Sequence, residues 1–167
     1  LGGFEFETGQ MAQARVTYQK ALSLAFNSEE LRGRIEQNLG ILATIHGDHK
    51  AALDHYQRSL QAFESAGDER GIAIAYHNLG LIAFNRGQLV DAEQHFIRSG
   101  EVAARIGDVH LQGLCLLSQS EVCHTRQQYG DAMRRAEAAL VIFEQLGARM
   151  DKSAAYKVIG MVFRDTG

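Results

Sequence analysis

The chain has 167 residues, 46% of them apolar and 22% charged, which is enough to bury the core of one ordinary domain and excludes a disordered segment. A formal charge of −3 argues against a nucleic-acid surface built on excess Lys and Arg. No apolar run approaches the ~18 residues of a membrane span. Leu1 is not a methionine and nothing near it has the basic-then-apolar order of a signal peptide. The repeat described next starts and stops mid-unit, so the sequence reads as a piece of a longer chain.

Glycines keep a period of 40. Gly67, Gly107 and Gly147 form one series, with Asn27 one period earlier. Gly47, Gly87 and Gly167 form a second, with Gln127 in the gap, and Gly40, Gly80, Ser120 and Gly160 a third. Ala52, Ala92 and Ala132 keep step, as do Tyr56 and Phe96. Each unit reads as two helices. Asp48, Asp68 and Asp108 each follow a glycine and are placed to cap a helix, and the next glycine ends it. From Asp68 the apolar positions Ile72, Tyr76, Leu79 and Ala83 recur at helical spacing, and the helix closes at Gly87. Proline is absent, so glycine or asparagine must make every corner. Such sharp corners make consecutive helices antiparallel.

Gly40 and Gly80 fall inside helices, where glycine costs about 1 kcal/mol relative to alanine. Close approach of a second helix explains them. Ala52 and Ala92 are the expected facing residues, with Tyr56 and Phe96 filling the space one turn on. The predicted fold is all-α, a solenoid of antiparallel helix pairs.

The run Asn38-Leu-Gly40, Gly47, Ala52, Tyr56 and Ser59 resembles the tetratricopeptide repeat pattern, and it recurs as Asn78-Leu-Gly80, Gly87, Ala92, Phe96 and Ser99. A first partial unit has Leu1-Gly2, Gly9, Ala14, Tyr18 and Ala21; a last one has Ile159-Gly160 and Gly167. The resemblance implies a right-handed superhelix. It divides the chain into a partial repeat at 1–27, full repeats at 28–67, 68–107 and 108–147, and a half repeat at 148–167. The period of 40 is similar to the long variety of large LuxR-type ATP-binding regulators, kinesin light chains and spindle-orienting G-protein adaptors. Two departures stand out. The first unit is two residues short, a deletion placed near Phe26-Asn27. The fourth carries Gln119-Ser120 for Leu-Gly and Ala136 for the aromatic, and a buried Gln119 needs a partner or costs about 1–3 kcal/mol.

The resemblance also implies that the first helix of each pair lines a groove. Carried over position by position, its lining includes Arg34, Asn38 and Ile41, then His77, Asn78, Leu81 and Phe84, then Leu117, Ser118 and Glu121. Asn38 and Asn78 lie one period apart, and a primary amide donates and accepts, which suits the main chain of an extended peptide. The alternative is that each amide ties helices together or points into water. Ile41, Ile74, Leu81, Phe84, Leu114 and Leu117 form an apolar column, either exposed for a ligand or buried between helices. The cations that clamp the carboxylate of chaperone tails in one branch of the family have no counterparts here.

His46, His49 and His55 lack the spacing of metal ligands. Cys115 and Cys123 sit eight apart on one helix, about 12 Å of rise at 1.5 Å per residue, and cannot pair with each other within it. No phosphate-binding glycine loop or nucleophile elbow occurs. The expected function is therefore binding of a protein or peptide, without cofactor, metal, nucleic acid or membrane, as the cytoplasmic sensor or docking arm of a larger regulator. Two alternatives stand beside it: self-association through end-to-end stacking, and a small-molecule sensor arm with a pocket at Gln119.

Overall fold

The computed structural model describes the backbone of residues 2–25 and 28–167 and the side chains of 13–25 and 28–167. Eight helices are present among the described residues: α1 Gly2–Leu24, α2 Glu29–Ile45, α3 His49–Ala66, α4 Glu69–Asn85, α5 Leu89–Ile106, α6 Val109–Thr125, α7 Tyr129–Gln145 and α8 Arg149–Thr166. The fold is all-α, with consecutive helices packed as antiparallel pairs. Two compact units divide it, Leu1–Ala75 and Tyr76–Gly167.

The corners follow the glycine–aspartate chemistry. Gly47, Gly67, Gly87, Gly107 and Gly147 all take positive φ, between 67° and 74°, where an L side chain is strained. Gln127 holds the same conformation at φ 61° without glycine's freedom. Asp48, Asp68 and Asp108 cap the following helices by accepting the backbone N–H of Ala51, Gly71 and Leu111. Ser28 caps α2 in the same way through Leu31.

No corner exists at Gly9, which lies inside the continuous helix α1. Good helix formers follow it in Gln10, Met11 and Ala12, and one interior glycine costs a helix only about 1 kcal/mol. The shortened stretch at Phe26-Asn27 lies outside the described residues.

Within each pair, small residues of the first helix meet rings of the second. A Cβ built on Gly40 would lie 2.6 Å from Tyr56, and one on Gly33 2.7 Å from Phe63. Stepping back along α2 while stepping forward along α3 keeps the two contacts in one antiparallel register. Gly80 meets Phe96 at 2.5 Å and Gly113 meets Phe143 at 2.7 Å in the corresponding places of the next two pairs. Phe63 also closes on Gly71 of α4, at 2.4 Å. The rings, rather than Ala52 and Ala92, are therefore the direct counterparts of the interior glycines. Those alanines are nonetheless fully buried.

In the third full pair the sizes change together. Ser120 stands in the register of Gly40 and Gly80, and Ala136 in that of Tyr56 and Phe96; both are fully buried. The hydroxymethyl group gained on α6 makes up only a small part of the ring lost on α7. Buried Gln119 accepts a hydrogen bond from Arg135 of α7, which satisfies its carbonyl oxygen. First helices are also tied to one another. His110 pairs with Asp151 and His124 with Asp165, each at 2.9 Å, linking α6 to α8.

Candidate functional site

In the first unit, α2 presents Arg34, Asn38 and Ile41 on successive turns. Arg34 is exposed and pairs with Glu30 at 2.6 Å, Asn38 is half-buried, and Ile41 is 40% exposed. Exposed ion pairs one turn apart contribute only tenths of a kcal/mol, so Arg34 is cheaply released to a ligand.

The second unit holds the remaining positions, on α4 and α6. His77 packs tilted against Phe96, with ring centroids 5.4 Å apart, and its Nε2 lies 3.2 Å from Ser118 Oγ. Burial pushes its pKa down to about 4, against the smaller upward effect of a hydrogen bond to the Leu114 backbone. The ring is neutral at pH 7. Asn78 is half-buried, and its amide nitrogen is buried without a hydrogen-bond partner. Leu81 and Phe84 are half-buried and pack along the edge of a cluster of Ala83, Ala92, Phe96 and Val122.

On α6, Leu117 belongs to the core cluster with Ala136, Ala139 and Phe143, and Ser118 is buried on His77. These two side chains offer little surface to a guest. Glu121 is half-buried; burial raises its pKa, and the positive charge of Lys157 lowers it by less. The second unit thus brings together an unsatisfied amide donor, a two-residue apolar edge and a carboxylate near a cation.

Two features escaped sequence reasoning. One is a cleft of about 520 Å³ in the first unit, between α1, α2 and α3, lined by residues including Arg15, Leu39, Ala43, His46 and His55. Its wall depends on how α1 seats against α2, which no local pattern reports. The other is Glu36, almost fully buried, with its carboxylate 2.7 Å from His55 Nδ1 and 4.0 Å from Arg58. Their charges and helical spacing were the available signal.

Among the described residues, no group of three or more His, Cys, Asp or Glu side chains could hold a metal ion. Cys115 and Cys123 are free and buried. Burial pushes the Cys115 thiol up to about 11, and its Sγ lies 3.1 Å from Ser99 Oγ. None of the described helices is long and apolar enough to cross a membrane.

Paired antiparallel helices with small-residue contacts and glycine corners define an α-helical repeat protein of the protein-interaction class. The chain belongs to the tetratricopeptide repeat family, whose model matches residues 1–65 and 71–145. It is 33% identical over 94 residues to the photosystem I assembly protein Ycf3 of Synechococcus elongatus, covering 56% of this chain and 54% of that one. The chain therefore spans about half the length of the curated relatives it matches. Among solved structures it resembles the apo form of RapI, with a TM-score of 0.85 and 14% identity over 99% of this chain and 61% of that one. It also resembles BtubC of P. vanneervenii, with a TM-score of 0.77 and 19% identity over 97% of this chain and 71% of that one. At such identities the two structures speak for the fold alone.

Proposed function

We propose that this chain is a protein- or peptide-docking module of the long, 40-residue repeat variety, serving as the docking arm of a larger regulatory or assembly protein in the cytoplasm. It binds rather than catalyses. The observation that carries this is the unpartnered amide nitrogen of Asn78, beside the half-buried Leu81 and Phe84. A buried donor left unpaired costs about 1–3 kcal/mol. A small rotation of the amide toward an incoming main-chain carbonyl recovers that cost. Leu81 and Phe84 then take apolar side chains of the same peptide, and Glu121 with Lys157 supplies polar selectivity. Asn38 and Ile41 repeat the amide-plus-apolar combination in the first unit. The likeness to an assembly protein, Ycf3, fits a protein partner.

Peptides selected from a displayed random library against the whole chain provide the probe. Asn78→Ala and Phe84→Ala are each expected to weaken the selected peptides by about tenfold or more, with Asn78→Ala leaving the melting curve unchanged or slightly improved. Retention of full affinity by both variants would contradict the docking assignment. The small-molecule alternative shifts from Gln119, whose oxygen Arg135 occupies, to the cleft in the first unit. A metabolite that raises the melting temperature of the wild type but not of an Ala43→Phe variant would support it.

A further inference from the structure

We infer that Glu121 of α6 receives a lysine or arginine side chain of the docked peptide, carried two positions from an apolar residue that packs on Leu81; this rests on the peptide-docking reading and names the chemistry of its partner.

Buried and half-buried carboxylates in this chain are otherwise partnered. Among the described residues, Glu36 faces His55 and Arg58, Glu93 pairs with Arg126, and Asp151 pairs with His110. Glu29 and Asp131 each hold the arginine three residues further along their own helix. Asp68 and Asp108 cap helices. Glu121 stands apart: it is half-buried, and its carboxylate makes neither a hydrogen bond nor an ion pair among the described residues. Lys157 of α8 is exposed and acts on it only through space. His124, one turn on along α6, is held by Asp165 at 2.9 Å.

A carboxylate partly removed from water without a partner is a poor place to leave a charge, and a cation brought by a guest relieves it. Arginine offers a bidentate fork and lysine an ammonium, and either restores hydrogen bonds as well as charge. An acidic guest side chain would instead set two unpaired charges side by side, so the same carboxylate rejects acidic peptides. Lys157 can turn into solvent as the guest cation arrives.

The level of Glu121 in the groove is fixed from both sides. His77 meets Ser118 and His124 meets Asp165 at the same separation of 41 residues, so α4, α6 and α8 run parallel in one register. Glu121 lies one repeat after Leu81 and therefore at its level. Both neighbouring first helices, α4 and α8, are in place around it. Packed helices lie about 8–10 Å apart, and side chains two apart on an extended peptide point the same way roughly 7 Å apart. A peptide that sets an apolar side chain on Leu81 and crosses toward α6 thus brings its next same-facing side chain toward Glu121. The long stems of lysine and arginine close the remaining gap.

Peptides selected from a displayed random library on the whole chain test this, with each selected peptide remade with its lysine or arginine changed to glutamine. That change is expected to weaken binding to the wild type by about tenfold or more, and to Glu121→Gln by less than about twofold. Glu121→Lys is expected to prefer the same peptide carrying glutamate at that position. Peptides that need Asn78 and Phe84 but lose equal affinity on the wild type and Glu121→Gln, or carry no lysine or arginine, would overturn this inference and leave the docking reading standing. A library yielding no binder, or binders indifferent to Asn78→Ala and Phe84→Ala, would overturn both.

Discussion

Arg135 of α7 donates to the side-chain oxygen of Gln119 on α6, at a level of the helix pair where the two preceding units carry Leu39 and Leu79 in the core. The third full pair replaces a buried leucine with a buried amide and supplies the partner from the facing helix. Removing one member leaves the other orphaned. Arg135→Ala is expected to destabilise the chain by about 1–3 kcal/mol, while the same change in a Gln119→Leu background costs much less. Urea unfolding of the four proteins of this cycle measures the coupling, and additive effects would contradict the pairing.

The interior glycines predict opposite signs for one substitution. Gly80→Ala drives a methyl into the Phe96 ring, and the overpacking cost of about 1–3 kcal/mol exceeds the helix-propensity gain of about 1 kcal/mol. Gly100→Ala meets Cys115 Cβ at an ordinary 3.5 Å and is expected to stabilise by up to about 1 kcal/mol. Thermal melts of the two variants decide it: the first falls and the second rises.

At the corner between α6 and α7, Gln127 pays for a left-handed backbone that glycine adopts freely. Gln127→Gly is expected to stabilise by about 1 kcal/mol, read as a higher urea midpoint at unchanged slope.

His77 makes the second unit sensitive to acid. Its folded pKa of about 4 lies below the unfolded value of 6.5, so the unfolded chain binds the proton more readily. The neutral ring's contribution is intact above pH 6.5 and is lost as pH falls toward 4, by roughly 3 kcal/mol over that window. Carboxylates titrate nearby, so the measurable quantity is the difference between wild type and His77→Gln. That difference should shrink as the pH drops from 7 to 4, and parallel stability curves would contradict the burial of a neutral ring.

Much of this architecture was legible because corners are local chemistry. A glycine followed by aspartate specifies a left-handed stop and a capped start within two residues, and Gly47-Asp48, Gly67-Asp68 and Gly107-Asp108 behave accordingly. Gly9 shows the limit, since the helix formers Gln10, Met11 and Ala12 that follow it carry α1 straight through. Pairwise packing was only half legible. The period located Gly40 and Gly80, but the choice between Ala52 and Tyr56 as the facing residue depends on how far a ring reaches along the antiparallel register. Gly33, Gly71 and Gly113 went unremarked because Ala73 and Leu111 break their period, although Phe63 and Phe143 require them. At the site, the type and position of Asn78 were readable. The burial of Leu117 and Ser118 was not, since it arises from α4 and α7 closing over α6.

The central claim is that the face of α4 bearing Asn78, Leu81 and Phe84 docks a peptide. Amide chemical-shift mapping of the isotopically labelled chain, titrated with a display-selected peptide, tests it most directly. The account predicts the largest shifts on Asn78, Leu81, Phe84 and Glu121, together with a new protected side-chain amide at Asn78. Shifts confined to the exposed sides of α5 and α7, with the Asn78 amide unmoved, would contradict it.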